Sequence, residues 1–313
     1  MKNLQTLIYI CITFAVINLL TLLLVVRHDS DSLPEPVGEG KNEVAASLVG
    51  CDVYLPQKLT LAGETVPLHR WDVQEALRKE LIVNTYLHSH TLQILKTAPR
   101  VFAVIEPILK ENGIPDDFKY LAVIESRLDP LAVSPVGAVG TWQLMKGTAQ
   151  ELGLEVNSEV DERYHLEKAT RAAAAYLKKA YEKFGSWTLA AAAYNAGQGL
   201  ITKQRNIQQQ ENYYDLLLGE ETERYVFRIL ALKQIMTHPE KYNFQLPVPY
   251  PQNQFERVEV KGKVKDWAAF AADYEISYKT LKRFNPWLRK NVLNNHRRKT
   301  YEVLIPLEKD KYK

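Results

Sequence analysis

Apolar residues run almost unbroken from Leu4 to Val26, give way to Ser, Asp, Pro, Glu and Gly up to residue 65, and return from residue 71 at helical spacing. The first run, at about 1.5 Å per residue, is long enough to cross a hydrocarbon core of about 30 Å. Lys2 precedes it, Arg27 follows it, and Val25-Val26-Arg27-His28 offers no small-residue cleavage site. These flanks predict an uncleaved signal anchor over residues 1–27, amino terminus inside and the bulk of the chain outside. Residues 28–65 lack a helical period and read as a flexible tether. Leu48-Val49-Gly50 before Cys51 has the look of a lipoprotein cleavage box. It stands too far from the apolar run to act as one.

Beyond the tether, Val73, Leu77, Leu81, Ile82, Tyr86, Leu92, Ile94 and Leu95 predict one or two helices in an extension over residues 66–97. Residues 98–245 have the pattern of an all-α domain. A helix over 101–109 stops at Gly113, and another begins at Pro115, with Asp116 and Asp117 suited to its amino-terminal dipole, and ends at Glu125. A short helix follows over 148–152, an alanine-rich one over 168–184 closed by Gly185, one over 187–195 closed by Gly197, and one over 221–236 before Pro239. Three prolines stiffen the start of a linker over 246–255. In residues 256–308, Val258 and Val260 predict a strand, 264–274 and 277–284 two helices, and Tyr301, Val303 and Ile305 a second strand. The class is mainly α, with a small βααβ module at the carboxy-terminal end.

Composition narrows the function. Hydrophobic residues at 46% and charged residues at 25% of 313 are ordinary for globular domains. A net charge of +3, with no basic arm or aromatic-basic alternation, argues against nucleic acid as a partner. Two cysteines make no disulfide framework, and the seven histidines show no metal-ligand spacing, so neither a metal nor another cofactor is expected.

The candidate chemistry centres on Glu125. It ends the apolar run Tyr120-Leu121-Ala122-Val123-Ile124, where burial disfavours a charged carboxylate and keeps a proton available near neutral pH. Asp129 stands nearby, but Pro130 directly after it marks a turn-forming aspartate. Glu125 is therefore the one convincing acid in this stretch.

Glu125-Ser126, Asp129-Pro130, Ala132, Ser134, Gly137-Ala138, Gly140, Trp142-Gln143, Met145 and the later Ala193-Tyr194-Asn195-Ala196-Gly197 resemble the catalytic domain of the lytic transglycosylases. The likeness is strongest to the membrane-bound murein transglycosylase D type. It extends over residues 98–233 and takes in Asp161, Arg163, Glu221-Thr222 and Tyr225-Val226. The resemblance implies a goose-type lysozyme-like helical fold and cleavage of the β-1,4 bond between N-acetylmuramic acid and N-acetylglucosamine, leaving a 1,6-anhydro end. It implies Glu125 as sole acid and base, with Ser134, Gln143, Met145, Tyr194, Asn195 and Tyr225 at the substrate. Lys146, His165 and Phe227 depart from the closest type. A non-catalytic wall-binding scaffold and a hydrolytic muramidase are the competing readings.

Residues 256–307 resemble a LysM peptidoglycan-binding domain in Ile276-Ser277, Leu281, Asn285-Pro286 and Ile305-Pro306, although Lys261-Gly262-Lys263 replaces the usual glycine-aspartate signature. Arg289, Lys290, Arg297, Arg298 and Lys299 fall in a long segment that reads as a solvated basic loop. Together the resemblances imply peptidoglycan glycan strands and other wall-synthesis or remodelling proteins as partners. They imply a single-pass inner-membrane protein working on the periplasmic side.

Overall fold

The computed structural model describes residues 52–308; the expected anchor, the lipoprotein-like box and most of the tether lie outside them. Among the described residues no helix is long and apolar enough to cross a membrane.

The described part opens with a two-residue-strand hairpin, β1 (Thr60–Leu61) and β2 (Glu64–Thr65), paired antiparallel. Ala62 and Gly63 turn it with φ of 52° and 85°, the left-handed pair that matches strand twist. The last residues of the expected tether over 28–65 thus form this hairpin. Val53, Leu59, Leu61, Val66 and Leu68 are buried in the main core, because their apolar surface has a helical bundle to pack on. Asp117 accepts a hydrogen bond from Ala62 N at 2.6 Å and an ion pair from Lys233 at 2.6 Å, which fastens the hairpin.

Two helices follow, α1 (Trp71–Tyr86) and α2 (His88–Glu111). The expected break before residue 101 is absent. Pro99 and Pro107 sit inside α2, where each removes a backbone donor and costs about 3 kcal/mol. Burial of Ala98, Val101, Ile105, Ile108 and Leu109 along one face offsets that loss and carries the helix through. The expected extension and the expected all-α domain thus share one element across residues 97 and 98.

A 3-10 turn at Asp116–Phe118 leads into α3 (Lys119–Ser126), and α4 (Lys146–Glu151) follows a long loop. Next come α5 (Leu166–Phe184), α6 (Trp187–Ala196), α7 (Gln198–Gln208) and α8 (Glu220–Thr237). Helix α7 had no sequence forecast: only Ile201 in it is buried, so it carries no apolar stripe. In α5 and α6, Ala169, Ala173, Ala174 and Ala190 to Ala193 are fully buried, and their small side chains let the two helices approach closely. Helix α8 packs against α1, α3 and α6, closing the bundle.

The carboxy-terminal module pairs β3 (Phe255–Val260) antiparallel with β4 (Tyr301–Pro306), Val258 opposite Val303. Between them lie α9 (Trp267–Asp273) and α10 (Tyr278–Phe284), each opened by a side-chain cap, Asp266 and Ser277. The segment after α10 is docked through its apolar residues, Trp287, Leu288 and Leu293 being buried in one cluster with Val139, Val160 and Tyr164 of the helical region, while the basic side chains of Arg289, Lys290, Arg297 and Arg298 are exposed as expected.

Candidate functional site

Helix α3 is apolar on three sides, with Tyr120 to Val123 buried, so its last turn carries Glu125 to the edge of the core. The chain then reverses through Arg127 and Leu128, at φ of 56° and 64°. Left-handed backbone at a non-glycine residue costs roughly 1–2 kcal/mol and persists only where packing holds it. Here the Ser126 hydroxyl donates to Thr141 O at 2.9 Å, tying the end of α3 to the loop it introduces.

Glu125 is half-buried. Its Oε1 accepts a short hydrogen bond from the hydroxyl of Tyr225, which α8 supplies. Desolvation raises the carboxyl from 4.5 to about 7; the Tyr225 hydrogen bond opposes this, Glu221 adds to it, and Arg228 opposes it. Burial likewise raises the Tyr225 and Tyr194 phenols, and the Glu125 charge pushes both further in the same direction. At neutral pH the phenols are therefore donors and Glu125 is poised between its two states.

Tyr194, on α6, donates to Trp142 O at 2.7 Å and packs edge-on against Tyr176 at 5.4 Å. Trp142 is fully buried and donates from its indole to Thr170 Oγ1 at 2.8 Å. Asn195 accepts from the Thr222 hydroxyl at 3.0 Å, which joins α6 to α8. The start of α6 is itself fixed by Glu64 of the hairpin, whose carboxylate accepts from Ser186 Oγ at 2.9 Å, Thr188 N at 2.9 Å, Thr188 Oγ1 at 2.6 Å and Trp187 N. A carboxylate there satisfies orphan amides and complements the helix dipole.

The loop between α3 and α4 holds the remaining expected residues. Val139 bridges both Val133 and Leu144. Ser134 Oγ accepts from Ala138 N at 3.0 Å, and Gln143, at φ 46°, donates from its side chain to Ala132 O at 3.2 Å and Gly140 O at 2.8 Å. Met145 is exposed at the start of α4. The structure thus gathers Glu125, Tyr194 and Tyr225 into one cluster and links Asn195 to it through Thr222. Ser134, Gln143 and Met145 lie on the adjoining loop and make no hydrogen bond with Glu125.

Asp129 caps its own turn, accepting from Leu131 N at 2.8 Å, and is exposed. The carboxylate that does bear on Glu125 is Glu221, which sequence reasoning placed only within a matched segment. Arg228 was missed altogether. Glu221, Tyr225 and Arg228 follow the i, i+4, i+7 rhythm of one face of α8, and that spacing could have found them. Arg228 is held by Glu221 at 3.5 Å and by the buried Glu80 of α1 at 3.9 Å.

A hollow of about 370 Å³ opens elsewhere, against Leu154, Lys168, Arg171 and Tyr301. Its one carboxylate, Glu162, is paired with Lys168 at 2.5 Å and lies apart from Glu125. Among the described residues, no group of three or more His, Cys, Asp or Glu is arranged to hold a metal ion.

Residues 102–217 match the family described as the Transglycosylase SLT domain, and residues 256–309 match the soluble lytic transglycosylase C-terminal LysM-like domain. Membrane-bound lytic murein transglycosylase D of Escherichia coli K12 is 30% identical over 226 residues, covering 71% of this chain and 49% of that protein. Membrane-bound lytic murein transglycosylase F of Salmonella typhi is 33% identical over 128 residues, 37% of this chain and 26% of that protein. The chain thus spans about half the length, or less, of these curated relatives. Among solved structures, an inactive mutant of the lytic transglycosylase Slt from Pseudomonas aeruginosa is 26% identical, covers 48% of this chain and 25% of that one, and gives a TM-score of 0.38. The 70 kDa soluble lytic transglycosylase of Escherichia coli is 24% identical over 44% of this chain and 24% of that one, with a TM-score of 0.39.

Proposed function

Because this chain carries a Transglycosylase SLT domain and a soluble lytic transglycosylase C-terminal LysM-like domain, we propose that it is a peptidoglycan lytic transglycosylase with Glu125 as its only acid and base. The observation that carries the reading is the state of Glu125, a desolvated carboxyl raised to about 7 with a phenol on one oxygen. A group poised near the working pH can both give and take a proton.

In the proposed reaction Glu125 gives its proton to the glycosidic oxygen, and the C1–O bond of N-acetylmuramic acid breaks, releasing the 4-hydroxyl of N-acetylglucosamine. The substrate's own N-acetyl group stabilises the positive charge at C1. The Glu125 carboxylate, steadied by Tyr225, then takes the proton of the muramoyl C6 hydroxyl as that oxygen bonds to C1. The product is a 1,6-anhydro ring, the enzyme regains its proton, and no water is consumed. A second carboxylate has no task in this sequence. Glu221 instead helps to keep Glu125 protonated until substrate arrives.

Ser134, Gln143, Met145, Tyr194 and Asn195 are proposed to line the glycan path, the loop residues presenting atoms beyond those used to fold it. Residues 4–26 are proposed to anchor the chain in the inner membrane with this domain on the wall side, where other wall-remodelling proteins would be its neighbours. The test is Glu125→Gln on purified murein: turnover falls by about 10²- to 10⁴-fold, the share of a general acid, with the fold retained. A variant that turned over like wild type would remove Glu125 from the mechanism.

A further inference from the structure

The segment from Glu155 to Glu167 has two loaded sides. Towards the carboxy-terminal module, Val160 forms a β-bridge with Leu288, Asp161 N donates to Trp287 O at 2.9 Å, and Arg289 N donates to Glu159 O at 2.8 Å. The Glu159 carboxylate accepts from both the backbone N and the side-chain amide of Asn294, the former at 2.8 Å. Buried Glu155 accepts from Lys299 at 2.8 Å and Tyr301 OH at 3.1 Å.

The other side faces the loop that carries Ser134 and Gln143. Arg163 is buried and held at both ends of its fork by Asp161, at 3.0 and 2.8 Å. Its remaining Nη1 donates to Gly137 O at 3.0 Å and Leu144 O at 3.1 Å, the two flanks of the loop. Gly140, at φ 78°, lies so close to the Arg163 carbonyl that a Cβ would stand 2.3 Å from it. Val139, between those flanks, is buried in the same cluster as Trp287, Leu288 and Tyr301.

We infer that the carboxy-terminal module braces the substrate loop of the catalytic domain, with Arg163 as the positioning residue that passes the support from Asp161 to Gly137 and Leu144. The inference rests on the proposed function for the loop's role, not for the brace itself. Asp161 is the junction, since its backbone engages Trp287 while its side chain aims Arg163. A buried, bidentate guanidinium has one geometry, so a shift of the 155–167 segment must move the loop with it. Glu125 and Tyr225 themselves make none of these contacts and meet the loop only indirectly, through Ser126 to Thr141 O and Tyr194 to Trp142 O, so the brace governs glycan binding more than the chemical step.

The experiment uses the full chain and two variants at one contact, Glu159→Ala, which removes both hydrogen bonds to Asn294, and Asn294→Ala, which removes the side-chain one and leaves the backbone one, with Arg163→Lys as a third that keeps the charge but loses the fork. Amide hydrogen exchange at Val139, Gly140 and Leu144 should quicken by about 2- to 30-fold, the range carried by packed networks, with α6 and α8 unchanged. On glycan oligomers KM should rise by a similar factor with kcat held. Loop amides at wild-type rates, with faster exchange confined to residues 285–301, would overturn the brace, and so would uniform acceleration through α6 and α8. If the loop amides respond but wild type releases no anhydro product, the functional reading fails and the brace stands.

Discussion

Replacing Glu125 by glutamine should stabilise the fold at alkaline pH while removing activity. The carboxyl is raised from 4.5 to about 7 because ionising it means charging a desolvated oxygen pair. A raised folded-state value means the folded protein binds the proton more tightly than the unfolded chain. The favourable contribution is therefore complete below about pH 4.5 and is lost as pH rises through about 7. At ~1.4 kcal/mol per pH unit, the ionised glutamate costs about 3 kcal/mol above pH 8. Glutamine keeps the shape and the acceptor for the Tyr225 hydroxyl and never ionises. Urea unfolding of the two proteins at pH 4.5 and pH 8.5 reads the difference directly. The variant should match wild type at the lower pH and gain about 3 kcal/mol at the higher. Equal stability at both would mean that Glu125 is not desolvated, and the argument for a neutral acid at pH 7 would fall with it.

Tyr225→Phe removes the hydrogen bond that favours the Glu125 carboxylate, so the alkaline limb of kcat/KM should move upward. A hydrogen bond to a charged group, at about 1.5–3 kcal/mol, corresponds to about one to two pH units in the rate profile, and a downward move would contradict the assigned direction. Glu64→Ala withdraws the carboxylate that caps α6 and should lower stability by about 1–2 kcal/mol, read as a drop in thermal midpoint. An unchanged midpoint would show that the hairpin does not help to hold the helix that carries Tyr194 and Asn195.

The acid was readable from the sequence because its setting is local. Tyr120 to Ile124 precede Glu125 on the same helix, and an apolar run that ends in a carboxylate states its own desolvation. Tyr225 is a hundred positions away and entered only through resemblance. Glu221 and Arg228 stayed unread because a charge on a helix is by default a solvated one, and only the packing of α8 on α3 brings them near the acid. The extension and the helix over 101–109 read as separate elements, and they are one, because burial along α2 outweighs the donor lost at Pro99. The hairpin at residues 60–65 hid in a stretch rich in polar and turn residues, since Val53, Leu59, Leu61 and Val66 follow no regular period. The docking of the apolar residues within the basic segment after Asn285 stayed hidden for a related reason: one of its anchors, Glu159, lies 135 positions before Asn294.

In the proposed reaction one carboxyl group serves as acid and then as base, with the substrate's own hydroxyl as nucleophile. Mass spectrometry of the muropeptides released from purified murein by the full chain tests this most directly. The mechanism predicts 1,6-anhydromuramoyl ends and no incorporation of oxygen from labelled water. Reducing muramoyl ends carrying the label would identify a hydrolase and contradict it.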